Sequence, residues 1–353
     1  MPPTLGSRHL RRHGARTAQT CLILSRGQGY GVVAEDGAVA EDRAVTQDRA
    51  VAEGRARDRS ALDGLAAAIT RHRDGLWSET AAPRLTLVAL DEFIAPIDIV
   101  YEPMICFIVD GAKRAVAGDR QWVTGRGEMF LNTLVLPVTA VFERVPYRAA
   151  VLRLDSGVLA DLLVELDDAR PPASRAAGEQ ISAPMSPQLV DALTRWVRLL
   201  DTPDDIRPLA ARTESEILYR LLSGPLGTAL RQFTLSGSSA ARVRAVAAWI
   251  SAHYAEPLSI GTLAALAHMS PATLHRRFKA ATGMSPLRFQ KQLRLQEARR
   301  RLVAGDTTAA LVAEAVGYVS ATQFNREYRR AYGLPPAQDA VRLRDRLTSA
   351  ERG

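Results

Sequence analysis

Residues 270–286 return at 320–336, offset by 50 positions throughout, and this repeat restricts the C-terminal third of the chain to one kind of unit. Ser270, Leu274, Arg276, Phe278, Lys279, Ala281, Gly283 and Pro286 recur as Ser320, Phe324, Arg326, Tyr328, Arg329, Ala331, Gly333 and Pro336. A serine at the head of each copy suits a helix N-cap, because its oxygen accepts a free backbone N–H of the first turn. Pro271 follows where a missing N–H costs nothing. Leu274 with Phe278, and Phe324 with Tyr328, are spaced i,i+4 and face inward together. Gly283 and Gly333 supply the left-handed residue that closes a helix, with a proline after each. The remaining positions give each short helix a basic, polar outer face suited to an anionic surface.

A second helix is expected before each copy. Ser259 precedes Ile260, Leu263, Ala264 and Ala267, and Asp306 or Thr307 can cap the helix carrying Val312, Ala315 and Val316. Only Ala267-His268-Met269 and Gly317-Tyr318-Val319 separate these helices from the capped ones. Two helices joined so tightly form a helix-turn-helix, whose second helix fits the major groove of double-stranded DNA. Residues 286–303 connect the units, with Leu287, Leu293, Ala298 and Leu302 on one side. As a helix they span about 27 Å, against the ~34 Å between successive major grooves on one face.

Charge follows the repeat. Residues 241–353 hold 18 Lys and Arg against 8 Asp and Glu, a net +10, while the preceding 240 residues hold 28 against 30, a net −2. Positive charge gathered on one segment is the footprint of phosphate contact. No stretch approaches 18 consecutive apolar residues, and Cys21–Leu24 is too short for a signal-peptide core, so a membrane span is not expected. Cys21 and Cys106 form neither a disulfide framework nor a zinc pattern, and a cytoplasmic setting is the default.

The N-terminal part divides differently. Residues 32–55 read as four hexads, whose valines rotate by 120° per repeat and build no stripe; residues 1–60 are therefore expected to be a disordered low-complexity tail. Folding is expected to begin near Ala61 with a helix through Arg73. From Arg84 the period becomes two: Leu85, Leu87 and Ala89 alternate, Met104–Val109 runs into a turn at Asp110-Gly111, and Ala117-Gly118-Asp119 reads as a hairpin. Leu131–Phe142 and Ala149–Leu154 add strands, giving an antiparallel barrel or sandwich. Helical spacing returns at Leu189, Leu193, Trp196 and Leu200, and at Ile217, Leu218, Leu221 and Leu222. The expected division is a barrel and helical segment over 61–232, a linker over 233–240, the double helix-turn-helix over 241–340 and a tail over 341–353.

Residues 242–338 resemble the DNA-binding domain of the AraC/XylS family of bacterial transcription regulators. The resemblance rests on Ala264 through Met269, Leu274, Arg276, Phe278, Lys279, Gly283-Met284-Ser285-Pro286 and Phe289. It continues through Arg294, Leu295, Ala298, Leu302, Gly317-Tyr318, Ser320, Phe324, Arg326, Tyr328, Gly333 and Pro336. Ala337-Gln338-Asp339 departs from the aromatic-arginine ending usual in the family. Tyr101-Glu102-Pro103 and Val109 through Arg114 resemble the start of the family's cupin-like effector domain. The fold class implied is α+β and multidomain: an N-terminal antiparallel cupin-like barrel with a helical dimerisation segment, then an all-α double helix-turn-helix. The resemblance implies a transcriptional activator that forms a homodimer, meets RNA polymerase and takes a small-molecule effector in the barrel.

On the first recognition helix Ala272, Thr273, His275 and Arg276 are the base-reading candidates and Lys279 the phosphate contact. On the second, Thr322, Gln323, Asn325 and Arg326 match, with Arg329 at phosphate. Arginine suits guanine, and Asn or Gln suits adenine. Gln323, three residues after Ser320, also fits a capping box. Arg277 is expected along the connecting helix. No histidine lies between His72 and His253, which removes imidazole ligation and His-activated nucleophiles from the barrel. No catalytic residue, metal or cofactor is expected. Two alternatives stay open: an enzyme of acidic-residue chemistry (Asp91, Glu92, Glu102, Asp110) fused to a DNA anchor, and a regulator without a small-molecule effector.

Overall fold

The structure, a computed structural model, describes residue 54 and residues 56–166, 181–235, 237–305 and 308–350. The expected tail lies outside these residues as far as 53, but residues 56–60 already belong to a helix, α1, covering 56–71.

Eight antiparallel strands follow: β1 (Trp77–Glu79), β2 (Leu85–Leu90), β3 (Ile97–Tyr101), β4 (Met104–Ala117), β5 (Arg120–Gly125), β6 (Glu128–Asn132), β7 (Leu136–Arg153) and β8 (Ile181–Pro184). The hydrogen-bonded order is β1-β2-β7-β4-β6-β8, with β3 added to β7 and β5 to β4. The long strands β4 and β7 form the spine, pairing from Met104↔Arg153 to Val116↔Thr139. Alternate side chains of a strand face opposite sides. Ile105, Phe107 and Val109 accordingly enter a core shared with α1, α2 (Ser156–Glu165), α3 (Pro187–Arg198), α4 (Pro203–Ser223) and α5 (Gly227–Thr234). Met104, Cys106 and Ile108 enter the core on the other side. Trp196 is fully buried in the first core, packed within its own chain.

Asp110-Gly111 is not the turn that its sequence suggests. β4 runs straight through it, with register shifts between Ile108 and Lys113 where β4 pairs with β7. Gly111 has φ +74, and a Cβ there would meet the carbonyl oxygens of Arg144 and Pro146 at 2.5 Å. Pairing with β7, distant in sequence, makes this Asp-Gly a bulge. The hairpin at Gly118-Asp119 does form, closing Ala117 onto Arg120.

The helical part comprises α6 (Ser239–Ala252), α7 (Ile260–Leu266), α8 (Pro271–Thr282), α9 (Pro286–Ala304), α10 (Ala309–Ala315), α11 (Ala321–Tyr332) and α12 (Pro336–Ala350). Ser238 caps α6 within the expected linker. The tail expected at 341–353 is helical through Ala350.

Candidate nucleic-acid interface

Each repeat builds the same device from local chemistry. Ser270 and Ser320 accept the N–H groups of Thr273 and Gln323 at 3.3 Å. Gly283 and Gly333 close α8 and α11 in the left-handed region, φ +76 and +80. Leu274, Phe278, Phe324 and Tyr328 are fully buried beneath. Ser259 caps α7. Thr308, rather than Asp306 or Thr307, caps α10; the latter two lie outside the described residues. The turns differ in length. His268 at φ +48 is followed by one residue before Ser270, whereas Gly317 at φ +88 is followed by two before Ser320. The additional residue, Val319, is fully exposed.

The side chains singled out for DNA sit mostly on exposed positions. Ala272, His275, Arg276 and Lys279 are exposed on α8, and Thr322, Gln323, Asn325, Arg326 and Arg329 on α11. Among the described residues Arg276, Arg326 and Arg329 have no ion-pair partner, unlike Lys279. Thr273 is half-buried, and its hydroxyl accepts from Ser270 Oγ at 2.9 Å, so it serves the cap. Gln323 supplies only its backbone N–H to Ser320; its side-chain Nε2 donates to Glu327 Oε1 at 3.3 Å. Arg277 bonds Ser239 at the start of α6, away from the connecting helix.

Glu327 fixes α11 to its surroundings and carried no signal in the sequence. It accepts from Lys291 Nζ on α9 at 3.0 Å and from the Tyr318 hydroxyl at 3.0 Å. Burial opposes its ionisation, but hydrogen bonds from Lys291, Gln323 and Tyr318 outweigh it and hold the carboxyl below the usual carboxylate range. Arg294 performs the same service within α9, donating to the carbonyls of Tyr254, Ala255, Glu256 and Gly317.

The sheet also reaches this surface. Asp119, at the β4–β5 turn, accepts from Arg288 Nη1 at 2.5 Å and lies 3.9 Å from Lys279 Nζ. Arg288 holds the Asp119 carboxyl below its ordinary range. On the inner side of the sheet Lys113 is buried, its ammonium 5.1–5.7 Å from the ring centres of Tyr101, Phe130 and Tyr147. Among the described residues no group of three or more His, Cys, Asp or Glu could hold a metal ion, and no helix is long and apolar enough to cross a membrane.

Two family models match the chain. One, described as AraC-type transcriptional regulator N-terminus, covers residues 81–229; the other, a helix-turn-helix domain, covers residues 263–340. The transcriptional activator RhaS of Pectobacterium carotovorum subsp. carotovorum (strain PC1) is 34% identical over 159 residues, which is 44% of this chain and 55% of RhaS. The chain thus spans about half the length of this relative. Among solved structures, the DNA-binding domain of AdpA in complex with a target DNA is 34% identical. It covers 30% of this chain and 95% of that one, with a TM-score of 0.29. ToxT from Vibrio cholerae is 8% identical, covering 73% of this chain and 97% of that one at a TM-score of 0.48.

Proposed function

The chain belongs to the AraC family of transcriptional regulators, and on that premise we propose that it binds double-stranded DNA sequence-specifically through α8 and α11. The observation carrying this reading is the pair of capped helices with exposed basic faces, in two helix-turn-helix units joined by a single 19-residue helix. That helix is about 28 Å long, which suits recognition helices entering successive major grooves. Ala272, His275 and Arg276 face base edges from α8; Thr322, Asn325 and Arg326 do so from α11. Lys279 and Arg329 meet phosphates. The sheet domain acts as the effector-responsive part, its helices pair two copies of the chain, and the bound dimer activates transcription through RNA polymerase.

The test separates base reading from phosphate contact on a duplex selected from a random-sequence pool. Arg276→Ala should cost about 1–3 kcal/mol and relax preference at one base pair. Lys279→Ala should weaken all duplexes alike and lower the salt dependence. Uniform weakening by Arg276→Ala would remove it from the base-reading set.

A second reading, regulation without a small-molecule effector, is supported by the side chains that fill the inner face of the sheet. Tyr101, Cys106, Phe130, Phe142 and Tyr147 pack there around Lys113. DNA affinity that responds to a metabolite extract favours the sensor; affinity set only by protein concentration favours this alternative.

A further inference from the structure

The β4–β5 hairpin is seated on the C-terminal end of α8, beside the face that carries His275 and Arg276. Asp119 N–H donates to Gly283 O at 3.1 Å. Arg120 Nη1 donates to Ala280 O and Ala281 O, both at 3.0 Å, satisfying carbonyls that the helix end leaves free. A Cβ on Gly118 would collide with Gly283 O, so backbone lies directly on backbone. Asp119, Arg120, His275, Arg276 and Lys279 line one open cleft along this seam. Within that cleft Asp119 is the acidic group, and its carboxylate joins Arg288 to Lys279. A phosphate oxygen bound by an arginine and a lysine makes the same charge-assisted contacts.

We propose that the hairpin is an intramolecular competitor for the DNA backbone: Asp119 occupies the place of a phosphate at Lys279 and Arg288, and the duplex must displace it. The proposal rests on α8 being a DNA reader. It gives the sheet domain a direct hold on affinity, because β4, which ends in this hairpin, carries the buried Lys113 four residues earlier. Any change in the packing around Lys113 is transmitted along one strand to the carboxylate.

The experiment uses the full chain and a mixed-sequence duplex of about 30 bp, so that only backbone contact is read. Asp119 is 55% exposed on its side chain, and asparagine keeps its shape at the turn. Asp119→Asn should bind about two- to tenfold more tightly at low salt, a gain that shrinks as salt rises. Asp119→Glu, which keeps the charge, should stay within about twofold of the parent. In a Lys279→Ala/Arg288→Ala background the gain should vanish. Unchanged or weaker binding by Asp119→Asn overturns the proposal, as does an equal gain in that background, which would mark a diffuse charge effect. Failure of the parent chain to bind any duplex would instead sink the DNA-reading role of α8 itself.

Discussion

Position 339 shows how one residue can replace another by different physics. Its counterpart fifty residues earlier, Phe289, packs edge-on against Phe278 with ring centres 5.2 Å apart. Asp339 is equally buried, but accepts from the Tyr328 hydroxyl at 3.1 Å, Arg299 Nε at 2.9 Å and Arg342 Nη2 at 2.8 Å. A ring pair in the first unit has become a phenol–carboxylate–guanidinium network in the second. At the departure from the usual family ending, Asp339 is therefore buried with its carboxylate hydrogen-bonded. Removing one member of a buried charged network strands the others. Asp339→Ala should cost about 3–5 kcal/mol in urea unfolding, far more than truncation of an exposed acid such as Glu92. A loss below about 1 kcal/mol would show that Arg299 and Tyr328 find other partners.

At the scale of elements, α8 and α11 end alike but stand in different company. Gly283 and Gly333 both adopt positive φ, where an alanine costs roughly 1–2 kcal/mol. Nothing lies within 4 Å of a Cβ added at Gly333, whereas one at Gly283 would meet Ala117 O at 2.5 Å. Gly333→Ala should therefore lose only the conformational cost, and Gly283→Ala about 1–3 kcal/mol more. Equal losses in thermal unfolding would mean that the hairpin is not seated on α8. The same contrast marks what the sequence could disclose. Caps, closing glycines and i,i+4 pairs act within a single turn, so Ser270, Ser320, Gly283 and Phe278 were legible from spacing alone. Contacts that close long loops leave no local trace. The docking of Asp119 and Arg120 on α8 was invisible, and Asp110-Gly111 read as a turn because its β7 partners lie more than thirty residues away. The contact of Lys113 with Tyr147 depends on the pairing of β4 with β7. Among the site candidates, exposure on α8 and α11 followed from helical period. The side-chain partners that Thr273, Gln323 and Arg277 take, which are Ser270, Glu327 and Ser239, did not.

Across the whole folded part, the sheet meets α9 at two separate places, besides the hairpin's seat on α8. Near its start Arg288 meets Asp119, and one apolar cluster joins Ala115 and Ala117 of β4 to Phe278, Met284 and Phe289. Towards its end Arg299 Nη1 meets Asp98 Oδ2 of β3 at 3.0 Å, and Gln296 Nε2 donates to Val138 O at 3.2 Å. Arg299 also serves Asp339, so the second helix-turn-helix and the sheet draw on the same guanidinium. The Asp98 and Arg299 side chains are only 8% and 15% exposed, which places the pair where losing one partner is felt. Regions open locally with free energies set by their own buried contacts. Asp98→Asn should therefore loosen the far anchor alone: in hydrogen–deuterium exchange, amides in the second half of α9 and in β3 should exchange faster, while those of α8 keep their protection. A rise spread evenly over α8, α9 and the sheet would mean that the two anchors act as one. Two separable anchors would let the sheet act on α8 through the hairpin while α11 stays fixed to the end of α9. α8 and α11 would then respond unequally to any change in the sheet domain.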